Sequence, residues 1–450
     1  MIRRPLPVRR AAERGFTLSE LMIAMVAGLI VALAVVSLSN EATNTFHEEG
    51  RTAAAEMGLR TAIDRVRNDL IRSGFMSTAN IWADPLIAHA PSQPNLPDKT
   101  TYPGLAKLQS VRLGYQGSMS DALVKTISTA NGLAPDSLDL SGNFTSAEAF
   151  VVRSAVAGGC GTVLTLETDS PAVLRVLATA SPAATINALF QPVPGATFAV
   201  RIEDDSGRFQ YLPTCSSGGG VATVTGAGIA ATVVVNVVTN GAFKLLSAKD
   251  TSMNGGATGL GVGRLLVNPV QTVRWQLRPL VAADTVYSTQ FNALGAGNPG
   301  NALHLFRSFV DASGNLLLAS SELVAEYAVD FKIGLSADLT VATTGPRPLT
   351  VFGLSDANNS LQNVAGDVSD STLNPAARPQ RIRSVRLRLS TRSAIADRSA
   401  ALTAPSANAQ QGQYPLRYCT LSAGCVTSGW SRVRTQTTEV ALPNSAKAFY

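Results

Sequence analysis

Arg14-Gly15-Phe16-Thr17-Leu18-Ser19-Glu20 runs directly into Leu21 and an apolar stretch that lasts to Leu38. Between residues 18 and 38 the single charge is Glu20; every other position is apolar, Gly or Ser. A helix needs about 20 such residues to cross ~30 Å of hydrocarbon. Upstream stand Arg3, Arg4, Arg9, Arg10 and Arg14, opposed only by Glu13. That asymmetry predicts an N-terminus in the cytoplasm and export of everything beyond residue 38. An ordinary secretory signal carries a small-residue cleavage site after its apolar run. Here Gly15-Phe16 lies before the run, so a cut at that junction leaves the helix on the mature chain.

The segment resembles the class III signal of prepilins, the precursors of type IV pilins and type II secretion pseudopilins. That family has a short basic leader, Gly, then Phe-Thr-Leu-x-Glu opening a hydrophobic helix, here Gly15, Phe16, Thr17, Leu18 and Glu20. The resemblance implies removal of a 1–15 leader by prepilin peptidase and methylation of the new amine on Phe16. It also implies that Glu20 neutralises an N-terminal amine, its own or a neighbour's, inside a packed helical core. A carboxylate at the edge of a membrane helix is costly and usually partnered, which fits that role. Snorkelling to the interface is the competing account of Glu20.

Composition narrows the remaining choices. The chain has 450 residues, 45% hydrophobic and 15% charged, with formal net charge +6. Much of the positive excess lies in the arginine-rich leader, and no compact basic patch interleaved with aromatics argues for nucleic acid. Export makes disulfides plausible for Cys160, Cys215, Cys419 and Cys425. Proximity favours Cys419 with Cys425, leaving Cys160 with Cys215; free buried thiols are the alternative. No Cys-x-x-Cys occurs, and His47, His89 and His304 are near none of the four, so a metal site lacks its spacing.

Along the chain, residues 16–72 predict one long helix with a transmembrane segment at 18–38. Ala55, Leu59, Ile63, Val66 and Leu70 fall at steps of four or three and form an apolar stripe that packs on a globular domain. Arg60 with Asp64 and Arg65 with Asp69 are spaced to pair on the solvent side. Ser73-Gly74-Phe75 ends the helix. Residues 80–145, rich in Pro, Gly, Ser and Asn, predict a loop-rich insertion. Strand signals then cover 149–156, 162–167 and 173–177. Residues 197–203 and 208–212 flank a turn at Asp204-Asp205-Ser206-Gly207, and 232–239 is a β-branched run. Gly-Leu-Gly-Val-Gly at 259–263 reads as a loop, because a strand-like run ending at Pro269 follows instead of the helix a dinucleotide fingerprint needs.

In the last third, Val273, Trp275 and Leu277 alternate with Arg274, Gln276 and Arg278 as a half-buried strand. Residues 303–309 and 316–319 predict a hairpin about a turn at 311–315, and 322–333 continues the sheet. Residues 382–390 form a further strand, with Arg386 and Arg388 on a solvated face. Ile71-Arg72-Ser73-Gly74-Phe75, Leu305-Phe306-Arg307, Glu322-Leu323-Val324, the 385–389 strand and the Arg-rich 432–442 strand resemble the PilW-like branch of minor pilins. They favour it over pseudopilins of the GspJ type.

No catalytic constellation stands out: there is no Gly-x-Ser-x-Gly elbow, His-Glu-x-x-His or P-loop. The sequence therefore predicts an α+β, pilin-like protein: a leader (1–15), an N-terminal helix (16–72) and a β-rich exported domain (73–450), with no cofactor. The resemblance implies a minor type IV pilin in the inner membrane and then the pilus. Its partners would be prepilin peptidase, other major and minor pilins and the inner-membrane assembly platform. The alternatives are a minor pseudopilin and a membrane-anchored binding domain that never polymerises.

Overall fold

The computed structural model describes residues 17–87, 100–114, 134–205, 207–215, 220–239, 264–281, 284, 287, 302–339, 348–354, 361, 364–369, 377–396, 417–420, 425 and 429–445. The leader, Gly15, Phe16 and the 259–263 glycine run lie outside them. The chain divides into two units, Met1–Ala53 and Ala54–Tyr450.

In chain order the elements begin with α1 (Leu18–Arg72), α2 (Pro103–Ala106), β1 (Val111–Gly114) and β2 (Ser137–Gly142). Next come β3 (Phe150–Gly158), β4 (Gly161–Leu166), α3 (Pro171–Leu177), α4 (Pro182–Phe190), β5 (Ala199–Glu203) and β6 (Phe209–Pro213). They continue with β7 (Ala222–Thr225), β8 (Thr232–Val238), β9 (Leu265–Arg278), β10 (His304–Val310) and β11 (Glu322–Ala325). The series closes with β12 (Ala328–Ala337), β13 (Thr350–Phe352), β14 (Ile382–Arg392), β15 (Arg417–Cys419) and β16 (Trp430–Ala441). A long helix on antiparallel sheet is the α+β arrangement the sequence implies.

The second unit is built on β9. Its first half pairs with β3 and β5, and its second half with β2 and β10, all antiparallel. Leu265, Val267 and Val270 enter one core, which holds β3 to β8, α3 and α4. Val273, Trp275 and Leu277 enter the other, which holds the end of α1, β12 and β14. The sequence reading ended this strand at Pro269. The strand instead runs on: Pro269 stays opposite Val200 in the β5 ladder, while on the other edge it falls between the β3 and β2 ladders. A second sheet has the order β13-β12-β14-β16-β15.

Several other expectations are corrected. Residues 173–177 are helical, in α3: Pro171 sits in the first turn, and Ala172, Val173 and Val176 turn inward at helical spacing. The 322–333 segment is two strands in different sheets, separated by Tyr327 at φ 50°. The turn at 311–315 is present with a single antiparallel bridge between Val310 and Leu316, but residues 318–320 form a 3₁₀ turn, and the strand on the edge of β10 away from β9 is β11. Within 80–145, β1 and β2 are paired, largely buried strands, with β2 beside β9, while residues 88–99 and 115–133 lie outside the described set.

Burial also overturns the solvated-face readings. Arg388 is buried and its Nε–H donates to Asp330 (2.7 Å), whereas Arg386 is half-exposed beside Glu439. The polar side of β9 is buried as well: Arg274 pairs with Asp139 and Arg278 with Asp284. Burial pushes the Asp139 carboxyl up, but Arg274 and Arg112 outweigh it and bring it down to about 2.

Candidate functional site

The start of α1 is built by Thr17 and Glu20. The Thr17 N–H donates to Glu20 Oε2 (2.9 Å), and the Glu20 N–H donates to Thr17 Oγ1 (3.3 Å). The Thr17 hydroxyl adds a third bond to the same carboxylate oxygen (3.0 Å). This reciprocal pair is a capping box, which satisfies two of the orphan N–H groups at a helix start. Thr17-x-x-Glu20 could have been read from the sequence as a cap; the acidic residue there drew a different reading. The carboxylate also sits in the first turn, where the helix dipole favours negative charge.

Beyond the cap, the large apolar side chains from Leu21 to Leu38 are all more than half exposed within their unit. Among the described residues, α1 is the one helix long and apolar enough to cross a membrane. Water penalises such a surface by about 25 cal/mol per Å², which favours an apolar surrounding and suggests membrane anchoring.

The other end of α1 docks within the second unit. Leu59, Ala62, Ile63, Val66 and Leu70 are buried against β9, β12 and β14. Asp69, buried beside them, accepts the Trp275 Nε1–H (3.1 Å) and the Arg307 Nε–H (2.7 Å) on one oxygen. The expected Arg65–Asp69 pair is absent for that reason, and Arg65 reaches Glu322 instead (3.1 Å). Arg60 likewise pairs with Glu56 rather than Asp64. Gly74, at φ 70°, ends the helix in the left-handed conformation glycine tolerates best, and its N–H donates to Ser141 C=O (2.8 Å). Periodicity reveals this stripe; the partners of Asp69 lie 206 and 238 residues away, beyond any local signal.

Of the four cysteines, Cys160 bonds Cys215 and Cys419 bonds Cys425. The first ties the β3–β4 hairpin to the end of β6; the second closes a short loop at β15. Among the histidines, His47 is exposed on α1, His304 is buried, and His89 lies outside the described residues. Among the described residues no group of three or more His, Cys, Asp or Glu side chains is arranged to hold a metal ion. An open cleft between β3, β4 and α3 is lined by Glu148, Glu167, Asp169 and Arg175, with Arg175 and Glu148 paired across it.

The family model for the prokaryotic N-terminal methylation motif matches residues 10–36. Comparison with curated proteins and with solved structures gives no match. The matched residues span the end of the basic stretch, the Gly15-Phe16 junction and most of the apolar run. Taken with the long helix that this segment opens, they support a type IV prepilin-like protein.

Proposed function

We propose that this chain is a minor type IV pilin, a structural subunit rather than an enzyme. Prepilin peptidase cuts after Gly15, Phe16 is methylated, and α1 holds the subunit in the inner membrane until assembly. The helix then exchanges lipid for the helices of other pilins, and the β-rich unit sits at or near the fibre tip, helping to start assembly or touch surfaces. The observation carrying this reading is the methylation motif set at the start of a long apolar helix, so that the proposed cut falls before the helix. Glu20 supplies a carboxylate at the helix start, where a subunit's new amine would be neutralised.

Deleting the gene tests the proposal. Piliation should fall and return with the wild-type chain. Glu20→Ala should insert in the membrane yet fail to restore pilus number. Normal pili together with a secretion defect would instead assign the chain to a type II system. Loss of neither would leave the membrane-anchored domain that never polymerises.

A further inference from the structure

Buried ion pairs recur in the second unit, and their cation is usually arginine: Arg274 with Asp139, Arg278 with Asp284, Arg307 with Asp69 and Arg388 with Asp330. A guanidinium keeps its proton and is no nucleophile. Lys332 is different. Its Nζ donates to Asp136 Oδ1 (3.1 Å), and the two side chains are only 7% and 1% exposed. The other lysine pair among the described residues, Lys107 with Asp367, is far more open to water, at 34% and 23%. An amine that has shed its proton attacks a carbonyl carbon readily, which is how lysine serves in covalent catalysis.

Asp136 is gripped by the strand that carries this amine. Its N–H donates to the Phe331 C=O (2.8 Å), and its Oδ2 accepts the Ile333 N–H (3.1 Å). The backbone on both sides of Lys332 thus fixes the carboxyl, and the amine needs only to turn from Oδ1 to the carbon bonded to it. Such fixed geometry replaces an encounter between two groups with a reaction inside one. Taking both charges out of water is costly, and passing a proton from Nζ to Oδ1 removes both at once.

We infer that Lys332 and Asp136 condense within the folded chain to a side-chain amide, joining β12 to the residue that leads into β2. The ammonium passes a proton to Oδ1, the amine lone pair attacks Cγ, and the negative charge that gathers on Oδ2 meets the Ile333 N–H. The attacking nitrogen then gives a second proton to Oδ1, the Cγ–Oδ1 bond breaks, and that oxygen leaves as water while the C=O forms again. One N–H stays on the amide, and no oxidant or other reactant is consumed. The bond ties the 11-stranded sheet to the 5-stranded one between residues 196 apart. It restrains the unfolded chain as a disulfide does, but withstands reductant. It lies within the second unit and does not depend on the prepilin reading.

The test is a peptide map of the full-length protein purified from membranes, reduced and digested with trypsin. Lys332 should stay uncut, inside a branched peptide that also contains Asp136 and weighs one water less than its two parts. Lys332→Arg keeps an ion pair but offers no amine, so its peptides should be separate and of full mass. Asp136→Asn should form the same branched peptide with ammonia lost in place of water, which separates the chemistry from the charge pairing. Cleavage after Lys332 in wild-type protein whose Cys160–Cys215 disulfide was intact before reduction would overturn the inference. So would a missing water at Asp136 in Lys332→Arg. If that variant fails to fold, the wild-type map decides by itself.

Discussion

Asp69 shows how much one buried carboxylate can decide. It lies in the last turn of α1, and a single oxygen accepts from both Trp275 and Arg307. Replacing it with Ala leaves a buried guanidinium and a buried indole N–H without their acceptor. Breaking such a pair typically costs about 3–5 kcal/mol. We expect Asp69→Ala to lower the unfolding free energy that urea titration of the detergent-solubilised chain yields by that amount; a loss under about 1 kcal/mol would show that the helix end is held by apolar packing alone. His304 makes a second residue-scale prediction. Burial, then the nearby Arg392 and Arg278, push its imidazole down to about 3. Its Nδ1 accepts the Tyr327 N–H (3.1 Å), which requires that nitrogen to be unprotonated. Because the folded value lies below the ordinary 6.5, the unfolded chain takes up the proton first as pH falls. Stability is therefore complete above about pH 6.5 and declines toward pH 3 by about 1.4 kcal/mol per pH unit. His304→Gln should remove that share of the pH dependence between pH 6.5 and 4.5. An unchanged slope would contradict the assignment.

At the scale of elements, the disulfides differ by the loops they close. Cys160 and Cys215 are 55 residues apart, and Cys419 and Cys425 only 6. In the chain-entropy account the longer loop contributes about 4 kcal/mol and the shorter about 2. Replacing the first pair with Ser should therefore destabilise the second unit more than replacing the second pair; equal losses in calorimetry would refute that ordering. Elements also show where sequence reading succeeds. The α1 stripe, the β5–β6 hairpin and the β14 strand were legible because each has a period or a turn that its own residues declare. Val173 to Leu177 was not: five apolar or basic residues fit a strand as well as a helix, and packing of Ala172, Val173 and Val176 decided the matter. Tyr327 hid a break inside an apparently continuous strand, since a tyrosine gives no local warning of positive φ. Pro269 misled in the opposite direction: it sits opposite Val200 on one edge and between two ladders on the other, an arrangement that only the assembled sheet creates.

Across the whole molecule, the N-terminal motif was the most legible part, because its signal is local: a basic stretch, a glycine, an acidic residue and an apolar run in fixed order. The partners that bury Arg274, Arg278 and Arg388 were illegible for the opposite reason. Arg274 and Arg388 meet carboxylates 135 and 58 residues away, and Arg278 meets one only 6 away across a turn without a readable signal. What unites the two scales is a single helix that offers apolar side chains at its start and an apolar stripe with a buried carboxylate at its end. The proposed function needs that helix to remain on the mature protein. Mass spectrometry of the N-terminal peptide, from protein purified out of its own cells, tests this most directly. The account predicts a chain that begins at Phe16 and carries one methyl group on its amine. A chain that begins at Met1, or at any residue beyond the apolar run, would contradict it.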